Sequence, residues 1–287
     1  MASSLAPRVS EKLDWLHREI HTFGSALIAF SGGVDSALVA RIAHDELGDN
    51  AVAVTASAWI YPKSELAMAD EVAAQIGIRH ETLDVTPLLP EAIRENAPDR
   101  CYFCKRTLFG ALIERAKALG LDYLLDGSNA DDATDYRPGA RAVAELGVRS
   151  PLKEAGLSKA EIRQISRHLN MTTWDHPSVA CLASRFPYGT AVTEERAGVV
   201  DDAEDFLRSL GFEQVRVRSD GTTARIEVPA GQLEQLACAT RRGQIVRRLK
   251  ELGFKYVSAD LQGYRTGSMN ETLQRDAGDD DNAGAGV

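Results

Sequence analysis

Residues 26–43, ALIAFSGGVDSALVARIA, are the stretch that decides the fold. Residues 26–30 form a continuous apolar run, which is typical of a parallel strand buried on both faces. Apolar residues then recur at helical spacing from Leu38 to Ala43. A buried strand, a glycine turn and an amphipathic helix predict the first unit of a parallel sheet with helices on its faces.

The same alternation continues along the first 185 residues. The predicted strands are residues 26–30, 51–57, 78–85 and 121–127. Helices are predicted at 64–76, capped by Ser64, at 104–119, and from a Ser158–Glu161 capping box to about residue 169. The expected fold class is therefore α/β, with a Rossmann-like parallel sheet over residues 1–185.

A different pattern follows residue 185. A helix is expected at 193–210, a hairpin from strands 212–218 and 223–228, a long basic helix at 232–252 and a last strand at 254–261. These elements predict a smaller α+β domain over residues 186–265. Residues 266–287 are acidic and rich in glycine and alanine, so we expect a disordered tail.

The composition limits the class of protein. Of 287 residues, 44% are hydrophobic and 26% are charged, as in an ordinary globular protein. A net charge of −9 argues against a general nucleic-acid coat. No apolar run approaches the roughly 20 residues that span a bilayer, and the first residues do not resemble a secretory signal. We therefore expect a cytoplasmic protein without membrane contact, with its four cysteines reduced.

The turn SGGVDS carries the groups that bind phosphate. Gly32 and Gly33 let the backbone approach a ligand closely, while Ser31 and Ser36 add hydroxyl donors. The amino-terminal end of the following helix favours an anion. An acidic side chain such as Asp35 beside a bound phosphate makes sense if it binds Mg²⁺. The turn matches neither the Walker A nor the dinucleotide-binding pattern, because no lysine and no third glycine follow at the required spacing.

Two cysteines stand at CxxC spacing in RCYFCKR. Cys101 and Cys104 are expected just before a helix, with Arg100, Lys105 and Arg106 beside them. Such surroundings are expected to lower the pKa of the thiols and favour thiolates. Half of a zinc site, a redox pair, a cluster anchor and two inert cysteines all remain possible interpretations.

The remaining cysteines differ in their surroundings. Cys181 lies in a loop at the expected junction of the two domains, near an arginine and two hydroxyls, where it is a candidate nucleophile or cluster ligand. Cys238 lies among apolar residues and is expected in a core. Three thiolates can hold a 4Fe-4S cluster with one open iron, while a structural zinc would need a fourth ligand such as His176.

Taken together, the motifs resemble one family. SGGVDS by itself resembles the signature of the PP-loop ATP pyrophosphatases. In chain order, the motifs SGGVDS, DRCYFCK, LDGSNADD, SPLKEAGLSKAEIR, PSVACLASR, RVR with ARIEV, and DLQGYRTGS resemble the LarE family up to about residue 270. That family consists of ATP-dependent pyridinium-3,5-biscarboxylic acid mononucleotide sulfurtransferases, which act in biosynthesis of the nickel-pincer nucleotide cofactor.

The resemblance implies a nucleotide site. ATP and Mg²⁺ would bind at residues 31–36, with Ala56 and Ser57 near the adenine. Asp126, Gly127 and Ser128 would face the nucleotide, because ligands bind at the carboxyl ends of parallel strands. ATP would adenylate a substrate carboxylate and release pyrophosphate.

The resemblance also implies two routes for sulfur. In one, the cysteine at position 181 is sacrificed and becomes dehydroalanine. In the other, Cys101, Cys104 and Cys181 hold a 4Fe-4S cluster that carries the sulfur, and the presence of all three cysteines favours this version. The sequence identifies no donor that would reload such a cluster.

The substrate site is implied in the smaller domain. The implied residues are Ser184, Arg185, Glu204, Arg216, Arg218, Glu227 and Arg265, which would bind an anionic mononucleotide. From strand alternation alone, a solvated, salt-bridged hairpin face is the simpler interpretation of these charges. The resemblance further implies a homo-oligomer.

Three alternatives stay open. A tRNA thiolase with the same loop would need an RNA-binding surface, and the net charge of −9 argues against one. A ligase that uses ammonia would have no use for three cysteines. A metal or cluster carrier with a vestigial nucleotide site would bind metal without turning ATP into AMP.

Overall fold

The computed structural model describes residues 5–134, 138–176, 180–265 and 268–270. The chain divides into two compact units, Met1–Cys181 and Leu182–Val287. Ser184 and Arg185 therefore belong to the second unit. Most of the predicted acidic tail lies outside the described residues. No described helix has the length and apolarity that crossing a membrane requires.

The first unit is built on a four-stranded parallel sheet. Its strands are β1 (Ala26–Ala29), β2 (Ala51–Ser57), β3 (Arg79–Asp84) and β4 (Tyr123–Leu125). They lie in the order β3-β2-β1-β4, so β1 is central. Ala26 pairs with both Ala51 and Tyr123, which aligns the carboxyl ends of the three strands at one edge. This confirms the predicted α/β class with a Rossmann-like parallel sheet.

Eight helices of the described residues accompany this sheet. They are α1 (Pro7–His21), α2 (Val34–Leu47), α3 (Lys63–Ile76), α4 (Glu91–Arg94), α5 (Arg100–Leu119), α6 (Pro138–Glu145), α7 (Pro151–Glu154) and α8 (Lys159–His168). One apolar core joins α1, α2 and α8 to the sheet, and a second core lies between the sheet and α5. The buried continuous run of β1 is explained by cover on both faces.

The helices of the first unit differ from the predictions in two respects. Helix α3 begins at Lys63, one residue before the predicted start, so Ser64 lies inside the helix and does not cap it. Helix α1 was not predicted, although it buries Leu16 and Ile20 completely. The Ser158–Glu161 capping box of α8 is present as predicted.

The second unit holds a three-stranded sheet. Its elements are α9 (Glu194–Ser209), β5 (Arg216–Ser219), β6 (Thr223–Glu227), α10 (Leu233–Ala237), α11 (Ala239–Glu251) and β7 (Tyr256–Ala259). β5 and β6 form the predicted hairpin, and β7 adds to β6 in parallel. The strand predicted at 212–218 begins only at residue 216.

The single basic helix predicted at 232–252 was also wrong. Cys238 has an extended backbone and separates α10 from α11. Its thiol is exposed, so the expectation of a core cysteine is overturned. Apolar neighbours in sequence could not reveal this break, because an extended residue at the end of a helix turns its side chain away from the preceding helical face.

Candidate functional site

The phosphate loop lies between the end of β1 and the first turn of α2. The hydroxyl of Ser36 accepts a hydrogen bond from the Ser31 amide at 3.2 Å and donates to the Gly33 carbonyl at 3.2 Å. The two serine hydroxyl oxygens lie 3.1 Å apart. No side chain caps α2, whose first residue after Gly33 is Val34. Its first amides therefore stay available to an anion.

Two glycines permit the close packing around this loop. Gly32 has φ +71°, and a Cβ there would lie 2.9 Å from the Ala69 Cα on α3. A Cβ on Gly127 would lie 2.8 Å from the Ser36 amide nitrogen. Both distances are too short for any larger residue, so the loop needs glycine at both positions. The segment after β4 consequently packs directly against the start of α2.

The carboxylate of Asp126 shapes the segment after β4. It is 4% exposed and accepts hydrogen bonds from the Ser128 hydroxyl at 2.5 Å and the Ser150 hydroxyl at 2.6 Å. The Ser128 amide donates a third, at 3.2 Å. Both carboxylate oxygens are thus engaged within the protein, which accounts for an acid buried beside the loop.

Asp35 already has a cation partner. The ammonium of Lys159 forms a short ion pair with Oδ2 of Asp35, and the amide of Asn129 donates to Oδ1 at 3.4 Å. Lys159 is the first residue of α8 and lies 124 positions further along the chain. Sequence reasoning missed this lysine, because its partner is set only by the packing of α8 near α2.

The predicted adenine-side residues lie at the same sheet edge. Ala56 and Ser57 are the last residues of β2 and are half-buried. The Phe30 amide donates to the Val54 carbonyl at 3.0 Å, so the end of β1 runs beside them. The parallel register thus brings these residues and the phosphate loop to one edge, as the rule for parallel sheets requires.

The CxxC pair lies inside a helix and not before it. Helix α5 begins at Arg100, four residues earlier than predicted. Cys101 and Cys104 are therefore three residues apart on one helical face, where side chains are neighbours. Cys101 is exposed and Cys104 half-buried.

The prediction that Cys101 and Cys104 have lowered pKa values and exist as thiolates is also wrong. Although Cys101 is exposed as a residue, the protein around its thiol removes part of the solvent; this desolvation and the nearby Cys181 raise its pKa, and Arg100 and Lys105 only partly oppose them. Burial, then Cys181, raises the pKa of Cys104 to about 12. The basic neighbours predicted the opposite sign, because sequence shows their charge but not the loss of solvent around the sulfur.

Tyr61 is a further residue that sequence reasoning missed. Its hydroxyl oxygen lies 3.8 Å from the sulfur of Cys104, within hydrogen-bond reach for sulfur. Burial, then Cys104, raises the pKa of Tyr61 well above its ordinary value. The tyrosine follows β2 by four residues, and the fully buried Ile60 anchors its turn. It connects the nucleotide edge of the sheet to the CxxC helix.

The three cysteines are the type of ligand that a cluster needs, but their side chains are not arranged as a metal site. Within the described residues, no three His, Cys, Asp or Glu side chains are arranged to hold a metal ion. Cys181 nevertheless raises the pKa of both other thiols, so the three interact in one unit. Three thiols that interact electrostatically are a donor set that an iron–sulfur cluster can use.

The second unit contains a buried charge cluster. Arg185 and Glu204 are 1% and 0% exposed, and the guanidinium donates two hydrogen bonds of 2.8 Å to the carboxylate. The Val217 amide adds a third at 2.9 Å. Burial acts to raise the pKa of Glu204, but Arg185 and Val217 outweigh it and hold that pKa below its usual value.

Arg216 and Arg218 extend this cluster along β5. Arg218 donates to the Glu227 carboxylate at 2.9 Å and to the Ser184 carbonyl at 2.6 Å. Arg216 is 6% exposed, and its guanidinium lies 5.4 Å from the centre of the Tyr264 ring. Burial and Arg185 lower the pKa of Arg216, against the opposing effect of Glu204. The hairpin face is salt-bridged, as the simpler interpretation expected, but it is not fully solvated, because Arg216 and Glu227 are buried.

Two further arginines pair with the same carboxylates. Arg208 donates to Glu204 at 3.0 Å, and Arg225 donates to Glu227 at 3.3 Å. Guanidinium groups gathered in this way are donors that an anionic ligand can use. Arg265 donates to the Gly263 carbonyl at 3.4 Å and lies 3.8 Å from the Asp260 carboxylate.

Comparison with known proteins identifies the class of enzyme to which the phosphate loop belongs. Residues 8–107 match the family model described as NAD synthase. The chain is 34% identical to a tRNA-specific 2-thiouridylase of Roseiflexus castenholzii, over 39% of this chain and 36% of that protein. With the loop geometry, these matches define an ATP-dependent enzyme of the PP-loop class.

Two relatives cover almost the whole chain. An uncharacterized protein of Synechocystis sp. is 45% identical over 93% of this chain and 100% of its own length. The pyridinium-3,5-bisthiocarboxylic acid mononucleotide synthase of Lactiplantibacillus plantarum is 39% identical over 86% of this chain and 90% of its own length. The chain belongs to the LarE family of ATP-dependent sulfurtransferases.

Proposed function

We propose that this protein adenylates the carboxylates of pyridinium-3,5-biscarboxylic acid mononucleotide and converts them to thiocarboxylates. The observation that carries the proposal is the phosphate loop, whose helix α2 has no side-chain cap, in a unit that also contains the free cysteines Cys101, Cys104 and Cys181. The buried Arg185 and Arg216 of the second unit are guanidinium donors of the type that binds an anionic mononucleotide. The name and coverage of the Lactiplantibacillus relative support this substrate.

The reaction has two chemical steps. A substrate carboxylate oxygen attacks the α-phosphorus of ATP, a P–O bond breaks, and pyrophosphate leaves. Hydrosulfide then attacks the acyl carbon, the C–O bond to AMP breaks, and the thiocarboxylic acid loses its proton. Water must be excluded from the acyl-adenylate, because hydrolysis would waste the ATP.

The chain's own groups have distinct roles in this scheme. The α2 amides and the hydroxyls of Ser31 and Ser36 bind the phosphates, and Asp35 binds Mg²⁺. Cys101, Cys104 and Cys181 would hold a 4Fe-4S cluster, which supplies the sulfur when bound. The alternative source is Cys181 itself, whose C–S bond would break to leave dehydroalanine. The cytoplasmic location and the homo-oligomer stay predictions.

The experiment uses anaerobically purified protein before and after reconstitution with iron and sulfide. It is incubated with the mononucleotide, ATP and Mg²⁺, and AMP, pyrophosphate and thiocarboxylate are followed by mass spectrometry. Iron, sulfide and zinc per chain are measured for wild type, Cys101→Ala and, as the matched control, Cys238→Ala. About four irons, absent only in Cys101→Ala, support the cluster.

Other outcomes contradict specific parts of the proposal. AMP formation without iron, with loss of H₂S from Cys181, would replace the cluster by the sacrificial route. One zinc per chain that iron and sulfide do not displace would overturn the cysteine assignment. No AMP with the mononucleotide, but turnover with tRNA or ammonia, would overturn the substrate.

A further inference from the structure

Three polar side chains form a chain of hydrogen bonds beside the phosphate loop. Nε2 of His80 on β3 lies 2.8 Å from the hydroxyl oxygen of Thr55 on β2. Nδ1 of the same imidazole lies 3.0 Å from a carboxylate oxygen of Asp70 on α3. Because a carboxylate can only accept, Nδ1 carries the proton, and Nε2 of the neutral ring accepts from the Thr55 hydroxyl. The chain connects two neighbouring strands to the helix that packs on them.

The inner part of this chain is buried, and its outer end is open to solvent. Thr55 is 3% exposed and the His80 side chain 11%, whereas the Asp70 side chain is 70% exposed. A buried hydroxyl needs a partner, because burying it without a hydrogen bond costs free energy. Water can replace an exposed carboxylate, so the contribution of Asp70 is smaller. The hydrogen bond between Thr55 and His80 is therefore the part that fixes the imidazole.

The imidazole contacts the end of the strand that leads into the loop. The rings of His80 and Phe30 meet edge to face, with centroids 5.6 Å apart and an angle of 74° between their planes. Phe30 is buried and comes directly before Ser31, the first residue of the loop. An edge-to-face contact depends on the angle between the rings, so the imidazole restricts how the Phe30 side chain can turn.

The outer end of the chain lies next to the helix residue that touches the loop. The backbones of Gly32 and α3 approach so closely that a Cβ on the glycine would lie 2.9 Å from the Ala69 Cα. Asp70 is the next residue of α3. His80 thus contacts one residue near each side of this close approach, Phe30 on the strand and Asp70 on the helix. A shift of α3 away from the loop would stretch these contacts.

We propose that His80 is a positioning residue for ATP. Held by Thr55, its imidazole keeps Phe30 and α3 at the spacing at which the glycine turn presents its amides and hydroxyls to the phosphates. The imidazole touches no phosphate; it raises the fraction of molecules whose loop is ready to bind. This inference rests on the proposed ATP chemistry and adds residues that lie outside the motifs of the family resemblance.

Two substitutions of similar shape remove the inner hydrogen bond. Thr55→Val keeps the size and branching of the side chain, and His80→Phe keeps a ring against Phe30. The probe is the α,β-methylene analogue of ATP with Mg²⁺, which cannot release pyrophosphate. Each variant should bind it about three- to tenfold more weakly in calorimetry on the full chain. Thr55→Ser keeps the hydroxyl and should stay within about twofold of wild type.

Two further measurements separate positioning from the chemical step. In Thr55→Val, KM for ATP should rise with the dissociation constant, while AMP release at saturating ATP should stay within about twofold of wild type. The double variant Thr55→Val with His80→Phe should bind the analogue within about twofold of the weaker single variant, because both substitutions remove the same hydrogen bond.

Glu81→Ala is the matched control. Glu81 follows His80 on β3, so its side chain points to the opposite face of the sheet, where it pairs with Arg115 at 2.6 Å. Losing this ion pair disturbs the same strand without removing a contact of the imidazole. The affinity for the analogue should therefore stay within about twofold of wild type.

The other outcomes contradict specific statements. Unchanged affinity in both Thr55→Val and His80→Phe would overturn the inference and leave the proposed function intact. An equal loss of affinity in Glu81→Ala would show that general destabilisation weakens binding, which also overturns it. Slow AMP release at saturating ATP with unchanged affinity would place His80 in the chemical step and overturn its positioning role. Wild-type protein that does not bind the analogue would instead refute the proposed ATP chemistry.

Discussion

At the residue scale, Cys104 shows how burial can reverse an electrostatic expectation. Two basic residues follow it in sequence, yet burial and Cys181 raise the pKa of its thiol to about 12. The hydrogen bond with Tyr61 acts in the other direction. The metal-free protein therefore keeps this thiol protonated at neutral pH, and a metal must displace the proton when it binds.

This predicts slow alkylation of Cys104. In metal-free, anaerobic protein at pH 8, iodoacetamide should modify Cys104 about 100-fold or more slowly than the exposed Cys238 of the same sample, because only the thiolate reacts. Each unit of pH above 8 should raise the Cys104 rate about tenfold. Peptide mass spectrometry measures both rates, and equal rates at pH 8 would contradict the pKa.

Tyr61→Phe should slow Cys104 further, because the hydrogen bond that lowers its pKa is removed. Tyr102→Phe is the matched control. Tyr102 lies in the first turn of α5, the helix that carries Cys104, and its hydroxyl donates to Glu145 at 2.7 Å and not to a thiol.

At the scale of elements, the phosphate loop depends on how closely two segments approach α2. Gly32 allows the backbone of α3 to touch the loop, and Gly127 allows the segment after β4 to touch the first turn of α2. The sheet register brings these segments to one edge, and the missing Cβ atoms let them meet.

Gly127→Ala tests this contact. The new Cβ would lie 2.8 Å from the Ser36 amide nitrogen, so α2 or the segment must shift. We expect a loss of about 1–3 kcal/mol in the free energy of unfolding, as for other overpacked positions, and at least tenfold weaker binding of ATP. Urea denaturation and calorimetry measure the two effects.

The control is Gly110→Ala, within α5 and with no atom within 4 Å of its new Cβ. Alanine should stabilise that helix by up to about 1 kcal/mol. Equal stability changes in the two variants would show that the contact at Gly127 carries no constraint.

At the scale of the whole molecule, charge is unevenly distributed along the chain. Residues 271–287 contain five acidic residues and one arginine, a net charge of −4 within the total of −9. The remaining 270 residues therefore carry −5. Neither part has the excess of positive charge that would favour nonspecific binding of RNA.

We expect no tRNA binding by the full chain or by a chain truncated after residue 270, at about 150 mM salt. ATP turnover with the mononucleotide should be the same for both chains. Filter binding and AMP release provide the measurements. Salt-dependent tRNA binding that appears after truncation would support the thiolase alternative and show that the acidic residues oppose RNA.

The family and the fold class follow from the sequence because they depend on local order. A buried apolar run before SGGVDS and the alternation after it specify a parallel sheet whatever the details of packing. The motifs then place the loop at the carboxyl end of the first strand. The first and last residues of helices were predicted less accurately, as at the start of α5 and at Cys238, because a single backbone angle decides where a helix begins or ends.

The electrostatic partners were decided by the tertiary structure. Lys159 contacts Asp35, 124 residues away in sequence, and Tyr61 contacts Cys104, 43 residues away. Burial decides that the pKa values of Cys101 and Cys104 are raised and not lowered. The sequence shows which residues are charged, but not the distances between them or how much solvent each one loses. Both quantities enter every electrostatic energy. The sequence thus determined which chemical groups this protein carries, and the packing of α3, α5 and α8 around the sheet determined which of them act on one another.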